Sequence, residues 1–251
     1  MAHDYRMTFR SDKSASNYES KVYMKGSAAD IWWEIERQQI TDFVESHFGR
    51  NNSGSYLDFA CGTGRLCSFL ETYFAKVDAL DISEEMIDIA KEKCQKTNFI
   101  CGDITTSGPN QLNLSSYDLV TAFRFLANSQ ESLRITALHK LREVMRDRNS
   151  VLIINNHGNP YSHRMLFLPY HYLKDKLNGK DLYGYLTNST VRKYLDDAGF
   201  EIITIKGSGF IPTKMRSIFP AGLCRSVEKA LVSMRIFDRL GVNQMFFCRI
   251  K

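Results

Sequence analysis

Residues 57–65 read Leu57-Asp58-Phe59-Ala60-Cys61-Gly62-Thr63-Gly64-Arg65, and the reading of this stretch decides the fold. The apolar run 55–59 predicts a short strand with the acid Asp58 at its end. Two glycines then let the backbone turn sharply and come close to a bound molecule, because no Cβ stands in the way. A helix over 66–74 opens from that turn. The dinucleotide fingerprint G-x-G-x-x-G fails, since Cys67 stands where its third glycine belongs. The phosphate-loop pattern fails as well, because no Gly-Lys-Ser/Thr follows. An acid ahead of the glycines suits a ligand with a positive group better than a pyrophosphate. Asp81 ends a second strand roughly twenty residues on, where a carboxylate can accept both hydroxyls of a ribose. The plain alternative is a tight turn followed by a surface acid. The joint spacing of loop and acid argues against it.

Outward from the loop, strands and helices alternate. Strands are predicted over 76–81, 98–101, 117–123, 150–155, 200–206 and 244–250. The run Val151-Leu152-Ile153-Ile154 is wholly apolar, as expected of a strand buried on both faces. Ser83 reads as an N-cap, and Glu84 and Glu85 in the first turn complement the helix dipole. That helix runs to about residue 94. A long helix covers 129–146, and another covers 188–198 and stops at Gly199. Upstream, Ile31, Ile35, Ile40, Phe43, Val44 and Phe48 recur near helical spacing through 28–48. Trp32 and Trp33 lie inside that helix and, being adjacent, point differently. Strands spaced by helices imply a mostly parallel sheet covered on both faces.

Composition narrows the function. The 251 residues carry a net charge of +5, and the pI of 8.8 falls short of the ~9 or more typical of a nucleic-acid domain. No block of five like charges is present, so a nucleic-acid partner is not expected. No run approaches the roughly 18 apolar residues of a membrane helix, and no membrane partner is expected. The first six residues are polar with no apolar run behind them, unlike a signal peptide. Six cysteines stand at 61, 67, 94, 101, 224 and 248 with no C-x-x-C pair and no zinc spacing. They read as reduced thiols of a cytoplasmic protein, with no metal site.

Four stretches in order resemble the class I (Rossmann-like) S-adenosylmethionine-dependent methyltransferases. They are 57–65, then Val77-Asp78-Ala79-Leu80-Asp81-Ile82-Ser83-Glu84-Glu85-Met86, then Cys101-Gly102-Asp103-Ile104, then Tyr117-Asp118-Leu119-Val120-Thr121-Ala122-Phe123. The resemblance covers residues 55–155 and resumes over 186–206, at Asp197-Ala198-Gly199-Phe200-Glu201. It implies a doubly wound α/β fold whose sheet is seven-stranded and mostly parallel, with helices on both faces and an antiparallel last strand. It implies S-adenosyl-L-methionine as cofactor. The loop from Asp58 through Ala60 to Gly64 would cradle the methionine part, with backbone at Gly62 and Gly64 and the Asp58 carboxylate near the ammonium. Asp81 would hold the ribose. Ile82 would pack on adenine with Met86 nearby, Asp103 would accept from the adenine amino group, and Ile104 would cover the other ring face. The backbone of Phe123 would meet the methionine end. Tyr18 and Tyr23 precede the first helix, where an aromatic ring near a sulfonium could contribute ~0.5–2 kcal/mol of cation–π attraction.

The acceptor side is open. The whole chain, 1–251, forms one domain, with residues 1–50 as an N-terminal helical lid. Residues 158–187 and 207–242 interrupt the alternation and are expected to cap the acceptor. Tyr161, Phe167, Tyr170, Tyr172, Tyr183 and Tyr185 would line or roof that cap, or else form a small core beneath it. Arg124 could pair with an anionic acceptor or make a salt bridge on the sheet rim. His157 could act as a general base or sit as a hydrogen-bonded loop histidine. His163 and His171 are weaker candidates. A small-molecule acceptor fits best. An RNA or protein acceptor, or a non-catalytic regulatory subunit that only binds the cofactor, are the alternatives. A monomer or homodimer is expected.

Overall fold

Helix α1 (Ala28–Phe48) enters the molecule ahead of β1 (Asn52–Phe59), α2 (Arg65–Leu70), β2 (Phe74–Asp81), α3 (Glu84–Lys91) and β3 (Asn98–Cys101). Then come α4 (Ile104–Gln111), β4 (Leu119–Ala122), α5 (Glu131–Glu143) and β5 (Val151–Asn156). The chain closes with α6 (Asn188–Asp197), β6 (Phe200–Ser208), α7 (Ala221–Ser233) and β7 (Asn243–Ile250). Short 3₁₀ turns lie at His163–Phe167 and Arg235–Phe237. This computed structural model describes residues 28–50, 52–114, 116–167, 184–212 and 218–251. Tyr18, Tyr23, Tyr170, His171, Tyr172 and Tyr183 lie outside the described residues, as does the first half of the expected lid.

The sheet has seven strands in the order β3-β2-β1-β4-β5-β7-β6. β1 pairs in parallel with β2 and β4, β2 with β3, and β4 with β5. β7 is antiparallel to both β5 and β6. This is the doubly wound, mostly parallel sheet with an antiparallel last strand. Order reverses between β1 and β4, and such a switch point opens a crevice at the carboxyl ends of the strands.

Both faces of the sheet are buried, and the period of two divides the core accordingly. Leu57, Val120, Leu152 and Phe246 pack on one face with Leu138 and Leu141 of α5 and Val191 and Leu195 of α6. Tyr56, Leu119, Ile153 and Phe247 pack on the other with Ile40 and Val44 of α1 and Leu66 and Leu70 of α2. Every residue of β5 is buried. The Ser83 hydroxyl accepts the Met86 amide and starts α3 as its N-cap. Gly199, with φ of 83°, ends α6.

Several bounds differ from the sequence reading. α2 stops at Leu70, because Phe74 is buried as the first residue of β2. β4 is only four residues long. Tyr117 makes an isolated bridge to Met145, and the chain leaves the sheet before Phe123. The second interruption of the alternation holds a helix of its own, α7. Helix α4 was not expected at all. It contains Gly108, with φ of 74° and ψ of 165°, followed by Pro109, and it lacks an apolar period.

Candidate active site

The crevice at the switch point is a cleft of about 1050 Å³, open mouth included. Its walls come from the β1–α2 loop, the end of β2, the β3–α4 turn and the segment after β4. The surface is mainly apolar, with a few placed polar groups, as small-molecule sites generally are.

The β1–α2 loop is built from left-handed backbone. Ala60, Gly62 and Gly64 have φ of 55°, 54° and 79°. The loop is tied to β2 by two bonds: the Cys61 amide donates to the Leu80 carbonyl at 3.1 Å, and the Gly62 amide to Asp81 Oδ2 at 2.8 Å. The two glycines are needed for different reasons. A Cβ on Gly62 would meet nothing within 4 Å, so the bare backbone faces open cleft. A Cβ on Gly64 would stand 2.7 Å from the Ala90 Cβ. Gly64 begins α2 and lets it pack on α3, and it is not part of the cleft wall. The missing side chain at Gly64 thus serves the packing of α2 on α3.

Asp81 lines the cleft at the end of β2. Its two oxygens accept the Gly62 amide at 2.8 Å and the Ser83 amide at 3.0 Å. Burial pushes its carboxyl up, while these backbone donors favour the anion. Asp58 is placed by sheet register opposite Thr121. The Thr121 hydroxyl donates to its Oδ1 at 2.8 Å and the Cys67 amide to its Oδ2 at 3.0 Å. Asp58 thus clamps the start of α2 to β4 while forming the floor of the cleft. Burial pushes its carboxyl up to about 7, against those two donors. Asp103 caps α4, accepting the Thr105 amide at 2.9 Å and the Thr105 hydroxyl at 2.6 Å. Ala60, Ile82, Met86, Ile104 and Phe123 also line the cleft. Burial pushes the Cys61 thiol up, so it lines the cleft as an un-ionised side chain.

Arg124 stands on the opposite wall in a left-handed turn, with φ of 57°. Its amide donates to Asn155 Oδ1 at 2.6 Å, and its carbonyl accepts Asn128 Nδ2 at 2.6 Å. His157 does not reach the wall. Burial and the nearby Arg124 and Arg164 guanidinium groups hold its imidazole down to about 3. At neutral pH it is an uncharged, very weak base, which removes the physical ground for the expected base role. His163 is absent from the wall too. Among the described residues, neither 158–187 nor 207–242 contributes to the cleft, and Tyr161 is exposed.

The wall beside Arg124 is local to the segment after β4 and to α5. Phe125, Asn128 and Leu133 line it, and Thr105 lies across. These residues carry no motif, and only their place after a strand end could have drawn attention to them. Arg65 is also on the wall. Its guanidinium lies 4.4 Å from the Trp33 ring centroid and 3.9 Å from a Glu36 carboxylate oxygen. Glu36 is buried on α1 and accepts from Asn243 Nδ2 at the start of β7. A buried carboxylate thus ties α1 and β7 to the start of α2, just past the β1–α2 loop.

Comparison with known proteins bears on this site. A family model described as a methyltransferase domain matches residues 57–148. An uncharacterized methyltransferase of Schizosaccharomyces pombe is 38% identical over 53 residues, which are 21% of this chain. The match spans about a fifth of that relative, 19% of its length. Among solved structures, magnesium protoporphyrin IX methyltransferase from Synechocystis PCC 6803 with bound S-adenosylhomocysteine superposes with a TM-score of 0.65 at 16% identity, covering 99% of this chain and 100% of that one. The N-methyltransferase NodS from Bradyrhizobium japonicum WM9, also with S-adenosylhomocysteine, gives 0.62 at 10% identity, over 97% and 98%. A Haloferax volcanii methyltransferase structure in complex with the Trm112 activator gives 0.58 at 12% identity, over 100% and 99%. At such identities the likeness is one of fold.

Proposed function

We propose that the chain is a class I (Rossmann-like) S-adenosylmethionine-dependent methyltransferase and that it methylates an oxygen or nitrogen of a small-molecule acceptor by in-line displacement. The observation that carries this reading is one continuous cleft. It joins the left-handed loop, Asp81 and Asp103 on one side to Arg124, Phe125, Asn128 and Leu133 on the other. Two ligands can meet in such a space.

The residues fit the cofactor. Gly62 leaves room where a side chain would intrude, and Asp81 and Asp103 both line the cleft, where carboxylates are available as acceptors. Asp81 would accept the ribose hydroxyls and Asp103 the adenine amino group. Ile82, Met86 and Ile104 would hold the ring. The Phe123 backbone and Asp58 would face the methionine end. The cofactor supplies an activated methyl group on a sulfonium.

The chain's own contribution is orientation. The acceptor lone pair must point along the carbon–sulfur bond that breaks, and the sulfur leaves with that electron pair. Holding the two ligands collinear can lower such a barrier by roughly 7–11 kcal/mol. The acceptor's proton passes to water, since the reading assigns no side chain as base. Arg124 and Arg65 on the wall favour an acceptor bearing a carboxylate or phosphate. By their names, two of the superposing enzymes act on a porphyrin and on a nitrogen atom, which suits the same class of acceptor.

The test is incubation with methyl-labelled cofactor and separate pools of small metabolites, RNA and protein. Label should enter the small-molecule pool. Label found only in RNA or only in protein would overturn the acceptor class. No cofactor binding by calorimetry would overturn the site.

A further inference from the structure

Eleven large hydrophobic side chains are exposed among the described residues, and seven of them lie between 218 and 240. Ile218 and Ile236 are 74% and 78% exposed, and Leu223, Val227 and Met234 follow along α7 and the 3₁₀ turn after it. Scattered apolar residues need no explanation, but a concentration on one element does.

The charges of this stretch are sorted as well. Its two acids are turned to backbone donors. Glu228 is fully buried and accepts the amides of Gly209, Phe210 and Ile211 at 2.6, 2.8 and 3.1 Å. Asp238 accepts the Gly207 amide at 2.8 Å. Its four cations, Arg225, Lys229, Arg235 and Arg239, are all exposed. Glu34 of α1 pairs with the first two, at 3.1 and 2.9 Å. The outer side of the element is therefore apolar and net positive, with its own acids withdrawn.

We propose that α7 and the following turn seat the protein on an anionic phospholipid surface. Aliphatic side chains would enter the boundary between headgroups and acyl chains, and the guanidinium and ammonium groups would lie among phosphates. Charge decides against a second copy of the chain as occupant. A two-fold contact through this face would bring like charges together. The proposal does not rest on the identity of the methyl acceptor.

The test is co-sedimentation of the full chain with phosphatidylcholine vesicles, with and without about 30% phosphatidylglycerol. The protein should pellet with the anionic vesicles and be released by salt. Because each basic residue near such a surface contributes about fivefold, the double substitution Arg235→Glu and Arg239→Glu should weaken binding by at least about twentyfold. Leu223→Ser with Ile236→Ser should abolish it. Circular dichroism and cofactor affinity should be unchanged in both variants, since all four side chains are exposed. No binding to anionic vesicles, equal binding to neutral ones, or wild-type binding by both variants would overturn the proposal. So would a concentration-dependent dimer that the Leu223→Ser, Ile236→Ser protein no longer forms.

Discussion

Asp58 is a buried acid near the end of β1 and Asp81 a half-buried one at the end of β2, and their surroundings give them different tasks. Asp81 accepts two loop amides and lines the cleft, so Asp81→Ala should weaken S-adenosylmethionine binding more than tenfold by calorimetry. Wild-type affinity would refute the ribose role. Asp58 has both oxygens engaged by Thr121 and Cys67, and whether it also feels the ammonium can be read from pH. Its carboxyl titrates near 7 in the free protein. A cationic ligand prefers the carboxylate, so below that value binding must displace a proton. Affinity should climb as pH rises from about 5 to about 7 and level off above. Asp58→Asn should flatten the profile. A flat profile in the unaltered protein would confine Asp58 to clamping α2. The acids and their order were legible in the sequence. That Asp58 is already hydrogen-bonded was not, because Thr121 is remote in sequence and meets it only through strand pairing.

At the scale of elements, the two glycines of the β1–α2 loop separate binding from stability. Gly64→Ala would force a Cβ against Ala90 in a left-handed backbone, costing about 3 kcal/mol by chemical denaturation. Gly62→Ala meets no neighbour and should cost only about 1 kcal/mol. Its methyl group would project into the space taken by the cofactor, so affinity should fall at least tenfold. Equal effects of both substitutions on binding would contradict this division. A sequence pattern treats both glycines alike. Their difference depends on α3 lying against one of them, which is a packing fact. Helix α4 was missed for a related reason: its stability comes from the Asp103 cap and the buried Ile104, and not from a periodic apolar face.

Across the whole molecule, Glu36 links α1, β7 and the start of α2 through Asn243 and Arg65. Removing one partner of a buried charged pair leaves the others unsatisfied. Glu36→Ala should therefore cost about 3 kcal/mol in denaturant. Glu36→Gln keeps an acceptor for Asn243 and should cost only about 1 kcal/mol. Equal stability of the Ala variant would show that the link is incidental. The outer surface is the other property of this scale. No helix of the described residues is long and apolar enough to cross a membrane. The expectation of no membrane partner rested on that length criterion, which says nothing of an apolar face lying flat on a bilayer.

The parallel α/β sheet, the glycine loop after β1 and the order of the acids that follow it are legible in the chain alone. These are local features, set by period, by backbone freedom at glycine and by spacing along one strand–loop–helix unit. Packing in three dimensions sets which of those residues face the cleft. It drew Gly64 away to pack a helix, lowered the basicity of His157 by burial beside two guanidinium groups, and brought Arg65 and Phe125 to the wall. It also turned Glu228 inward and left the apolar side of α7 outside. Burial and the neighbours gained across the sheet belong to no single stretch of chain, so no single stretch could announce them.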